Sequence, residues 1–126
     1  MLVSSIQFAA LGHGWEAWKN IPGDRQRLID LVDRESIENL IILSGDRHRG
    51  AIYELPISSG RKIVEITSSP LNNARARSEE PGPYRIGGSY TGANFGVATI
   101  DALKDQVILQ LRDEAGEVVA TVSAGG

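Results

Sequence analysis

Apolar and polar positions change their spacing several times along this chain, and each change marks an element. Residues 2–8 mix apolar and polar positions at strand length, with β-branched Val3 and Ile6 among them, and read as a strand. A glycine loop, Gly12-His13-Gly14, follows, and residues 15–19 read as a short helical turn. From Arg25 to about Glu35 the spacing becomes helical: Leu28, Ile29, Leu31 and Val32 share one face, and Asp24 is placed to cap the start. Residues 40–43 are continuously apolar, the pattern of a strand buried on both faces. Period-two strands are expected at 51–55, 62–67, 94–100, 106–111 and 118–122, with a hairpin turn at Glu114-Ala115-Gly116. Residues 68–93 are rich in Pro, Gly, Ser, Asn and Arg and have no period, so they read as one long loop. A strand, a helix and then mostly antiparallel strands make an α/β (α+β) fold.

Composition narrows the partners. The chain has 126 residues, enough for one domain with a single core, and a formal net charge of −3. That charge gives no reason to expect nucleic acid, and the basic spots at Arg47/Arg49 and Arg75/Arg77 are small. No apolar run approaches the roughly 20 residues that cross a bilayer, so no membrane partner is expected. The absence of cysteine excludes disulfides, thiolate nucleophiles and zinc–thiolate sites. The first eight residues are too short and polar for a signal peptide, which leaves the compartment open. A chain that opens inside a core strand raises the expectation of sequence upstream.

The candidate chemistry lies in Ser44-Gly45-Asp46-Arg47-His48, where the buried apolar run ends. Asp46 can offer oxygen to a hard cation and His48 a ring nitrogen. Arg47 and Arg49 suit an anionic group, because guanidinium pairs with phosphate oxygens. An ordinary strand–turn–strand connection with polar tips explains the same spacing and is the commoner case. Thr67-Ser68-Ser69-Pro70-Leu71-Asn72-Asn73 can line a cleft or simply bond to its own backbone, and no base is paired with Ser68 or Ser69. His13 sits where it could reach a site. Trp15 and Trp18 read as packing residues on one helical face, and Glu16 as a solvated carboxylate.

Together these pieces resemble the C-terminal part of a PhoD-like alkaline phosphatase, within the calcineurin-like metallophosphoesterases. The resemblance is carried by Val3-Ser4-Ser5-Ile6-Gln7, Trp15-Glu16-Ala17-Trp18, and Pro22-Gly23-Asp24-Arg25-Gln26-Arg27-Leu28. It continues through Ile42-Leu43-Ser44-Gly45-Asp46-Arg47-His48, Glu65-Ile66-Thr67-Ser68-Ser69 and Asn94-Phe95-Gly96, over nearly the whole chain. It implies a β-sandwich of two packed sheets flanked by helices. It also implies a dinuclear centre of iron with calcium, or other divalent ions, and hydrolysis of phosphate mono- or diesters by a metal-bound hydroxide. By position, Asp46 and His48 match metal ligands, His48 also the group at the leaving oxygen, and Arg47 a substrate contact.

The family's early set of motifs, an Asp-x-His, a later Gly-Asp and a Gly-Asn-His, does not occur ahead of the Ser44–His48 motif. Asp46 and His48 cannot hold two metals alone. Residues 1–126 are therefore expected to be the C-terminal part of a larger catalytic domain, a truncated product, or a degenerate relative, and inactive in isolation. The alternative is a non-catalytic module that binds a partner or forms a homo-oligomer through exposed strand edges.

Overall fold

The computed structural model describes residues 1–74, 79–80 and 82–125, so the Arg75/Arg77 spot lies outside the described residues. Strands β1 (Leu2–Val3), β2 (Ile41–Ser44), β3 (Gly50–Pro56), β4 (Lys62–Thr67) and β5 (Arg85–Tyr90) form one sheet in the order β1-β2-β4-β3-β5. Within it β1, β2 and β4 run parallel, while β3 is antiparallel to both β4 and β5. Strands β6 (Asn94–Asp101), β7 (Gln106–Asp113) and β8 (Val118–Gly125) form a second, antiparallel sheet. Helix α1 (Pro22–Arg34) is the single α-helix among the described residues.

Alternation along the central strands divides the interior into two layers. Ile42, Ile63, Ala51, Tyr53 and Leu55 face α1, where they pack with Phe8, Ala9, Ala10 and Val32. Ile41, Val64, Ile66 and Ile52 face the second sheet and meet Leu109, Leu111 and Ala124. The result is a helix–sheet–sheet sandwich of α+β type. Leu31, expected on the buried face of α1, is 38% exposed.

Three local expectations are corrected. The strand over residues 2–8 stops at Val3. Beyond it, the Phe8 and Ala9 amides donate to the buried Glu65 carboxylate (2.9 and 2.6 Å) instead of to a neighbouring strand. Helix α1 starts at Pro22, which needs no amide partner in the first turn; Asp24 lies inside that turn and Ile21 is the cap, without a side-chain bond. The long loop at 68–93 contains β5, whose pairing to β3 holds a segment with little apolar pattern of its own.

Candidate functional site

Parallel strands place their C-terminal ends at one edge of a sheet, and ligand sites in such sheets gather outside those ends. Here the chain leaves β1, β2 and β4 at that edge into residues 4–17, 45–49 and 68–70. A cavity of about 460 Å³ opens there, lined by Trp15, Glu16, Asp46, Arg47, His48, Arg49 and Glu80. Asp46, Arg47 and His48, the three candidates named from the motif, all line it.

The loop after β2 turns unusually tightly. The Arg47 amide donates to the Gly45 carbonyl two residues back (2.9 Å), with Asp46 between them at φ +69°. This bond and this φ are those of the rare γ-turn. His48 is also left-handed, at φ +54°. Two strained non-glycine residues flanking one arginine are held by their surroundings. The His48 amide donates to Ser69 Oγ (3.2 Å), which ties the loop after β2 to the loop after β4.

Asn94, at the start of β6 and 2% exposed, secures the second of those loops. Its Oδ1 accepts from Ser68 Oγ and the Ser69 amide, both at 3.1 Å. Its Nδ2 donates to the carbonyls of Ser69 (2.7 Å) and Gly92 (2.8 Å). The second sheet thus positions a cavity it does not line.

Alternation through the turn buries Arg47 and Arg49 and leaves Asp46 exposed and His48 half-buried. Arg47 lies over the Trp15 ring, 5.8 Å from its centroid. Both arginines pair with the same oxygen, Glu80 Oε1; the Arg49 Nη2 contact is 3.3 Å. Arg49 also donates to Ser89 Oγ at 3.2 Å. Burial, and next the nearby Arg49, pulls Arg47 below its ordinary pKa; burial does the same to Arg49. Both remain cationic at any ordinary pH.

Beneath the cavity runs a buried polar chain. The Trp15 amide donates to His13 Nδ1 (3.1 Å), so the ring proton sits on Nε2, which donates to Gln7 Oε1 (2.9 Å). Gln7 Nε2 donates to Tyr53 Oη (3.1 Å) and Thr67 Oγ1 (3.0 Å), and Thr67 Oγ1 is 2.9 Å from Ser44 Oγ. Burial, followed by the charges of Arg47, Lys19 and Arg49, lowers His13 to a pKa of about 4. His13 is therefore neutral and supports the Trp15 backbone from below rather than lining the cavity.

One expectation about this region changes, and one residue joins it that the sequence did not announce. Trp15 and Trp18 do not share a helical face. Trp18 packs edge-on against Phe8 (5.3 Å between centroids), while Trp15 is 63% exposed and forms cavity wall. Glu80 carried no sequence signal, because it reaches the arginines from 33 positions beyond Arg47. Among the described residues, no three His, Asp or Glu side chains gather closely enough to hold a metal ion. No described helix is long and apolar enough to cross a membrane.

Comparison with known proteins adds one finding. A family model described as PhoD-like phosphatase matches residues 3–125. No curated protein and no solved structure gives a significant match.

Proposed function

Since the chain belongs to the PhoD-like phosphatases, we propose that it supplies one wall of a site that hydrolyses phosphate esters, with Asp46, Arg47 and His48 as its working side chains. The observation that carries this reading is their convergence on one cavity at the C-terminal ends of parallel strands. Arg47 neutralises charge on the phosphoryl oxygens. His48, which lines the same cavity, holds a proton for the leaving oxygen in this reading.

Phosphatases of this family depend on metal ions in general. The described donors do not fit a metal centre by themselves: Asp46 and His48 are too few, and Glu80 is committed to two arginines. In this reading the remaining ligands, for iron with calcium or another divalent pair, lie on further polypeptide of the catalytic domain. Asp46 and His48 then complete that set. The chain alone has negligible activity.

The test is turnover of a chromogenic phosphate ester by the pure 126-residue chain with iron and calcium added, alongside elemental analysis of bound metal. Neither turnover nor stoichiometric metal is expected. Measurable metal-dependent turnover overturns the partial-site reading. In a longer form that carries the other ligands, Asp46→Asn lowers metal content and activity together; retention of both removes Asp46 from the site.

A second reading is self-association. Among the described residues strand β1 pairs on one side only, and Val3 is 76% exposed. Beside it a cavity of about 710 Å³ is lined by Leu2, Val3, Trp18, Ile21, Leu28 and Leu31, among others. An open strand edge next to apolar surface pairs readily with another strand. Sedimentation analysis of the pure chain separates the cases: a dimer favours edge pairing between copies, and a monomer removes it.

A further inference from the structure

We propose that Arg47 and Arg49 form a two-guanidinium seat for a phosphate dianion, and that the Glu80 carboxylate occupies this seat until the phosphate displaces it. The inference rests on the phosphate-ester reading above and adds Arg49 as a binding residue and Glu80 as an internal competitor.

The geometry makes Glu80 an imperfect occupant. Both guanidinium groups reach the same oxygen, Oε1. Oε2 is buried and has no hydrogen-bond partner among the described residues, and neither has Arg47 Nε. One oxygen thus serves two nearly buried guanidinium groups, whose side chains are 10% and 6% exposed. Buried polar atoms left without a partner are costly, so an anion that satisfies more of them is favoured in this place. A phosphate dianion has several oxygens, which give each guanidinium its own acceptor. The adjoining acid, Glu79, makes its direct contacts elsewhere, pairing with Arg85 (3.0 Å) and accepting from Ser89, and acts on Arg49 only through its charge. The seat also has a wall that reports on it, since Arg47 stands over the exposed Trp15 ring.

The experiment titrates the folded chain with inorganic phosphate and, in parallel, with phenyl phosphate. Binding is read by calorimetry and by tryptophan fluorescence. Four proteins are compared: the parent chain, Glu80→Gln, Glu80→Ala and Glu79→Gln. Circular dichroism establishes that each is folded, and Glu80→Ala serves if Glu80→Gln is not. Removing the competing charge is expected to tighten binding of one or both ligands by about tenfold or more, the scale of one charge-assisted hydrogen bond. Glu79→Gln is expected to bind as the parent does. Gain with both ligands means that the seat reads the phosphoryl group; gain with phenyl phosphate alone means that it reads the ester, and either supports the proposal. Equal binding by the parent and both Glu80 variants overturns the competitor role and leaves the phosphate site standing. Binding by none of the proteins overturns the seat and the phosphate-ester reading together. A matching gain in Glu79→Gln overturns the specific role of Glu80, because it reduces the effect to net charge.

Discussion

Replacing Asn94 by alanine tests the claim that the second sheet holds the cavity loops in place. The amide of Asn94 makes four hydrogen bonds, at 3.1, 3.1, 2.7 and 2.8 Å, all from a residue 2% exposed. At a net worth of about 1 kcal/mol each, their loss costs roughly 3–4 kcal/mol. That is a large part of the stability typical of a domain this size, ~5–15 kcal/mol. The melting temperature should fall by about 10 °C or more. Urea unfolding followed by circular dichroism measures the loss directly, with the slope of the transition unchanged. Asn94→Asp sharpens the test, because it keeps the shape and the accepting oxygen. It also turns a second oxygen toward the carbonyls of Ser69 and Gly92, so it should lose as much as alanine. If both variants unfold within about 1 kcal/mol of the parent, the Asn94 clamp is not what joins the sheets at this edge.

Three further outcomes follow from the interior. His13 titrates near 4 in the folded chain against 6.5 for an ordinary histidine, so the unfolded chain takes the proton first. Stability is therefore fully present above pH 6.5 and drains as pH falls toward 4, by at most about 3 kcal/mol. His13→Asn should flatten this slope in urea titrations, and an unchanged slope refutes the assignment. At Gly50, an added Cβ would lie 2.7 Å from Leu111 Cδ1 and 2.9 Å from Asn94 Oδ1. Gly50→Ala should accordingly cost about 1–3 kcal/mol in the same unfolding assay, and a neutral result would mean that Leu111 moves aside freely. Glu65→Gln leaves one oxygen for two buried amides, Phe8 and Ala9. A loss of about 1–3 kcal/mol is expected on thermal unfolding, and a stabilised variant would show that the burial cost of the charge outweighs its two bonds.

Much of the fold was legible because the central strands state their faces plainly. Ile63, Val64 and Ile66 announce β4, and the apolar run at 40–43 announces β2 to within one residue. The missed elements are those whose backbone groups are satisfied from far away. Residues 4–10 pack as irregular chain because Glu65, more than fifty positions later, receives two of their amides. Strand β5 carries Gly87 and Gly88 and one large aliphatic, Ile86, so only its pairing to β3 defines it. The site divides the same way. Asp46, Arg47, His48 and Arg49 are neighbours in sequence and were readable as a group. Trp15 and Glu80 reach them through folding alone.

The left-handed backbone at Asp46 and His48 sets folding against the role proposed for these side chains. Glycine tolerates such angles at no steric cost, whereas side-chain-bearing residues carry about 1–3 kcal/mol of strain apiece. A lineage selected for persistence of the fold alone would drift toward glycine at both positions and lose the carboxylate and the imidazole as it did so. Under the proposed role, glycine at either position would gain durability and lose a working side chain.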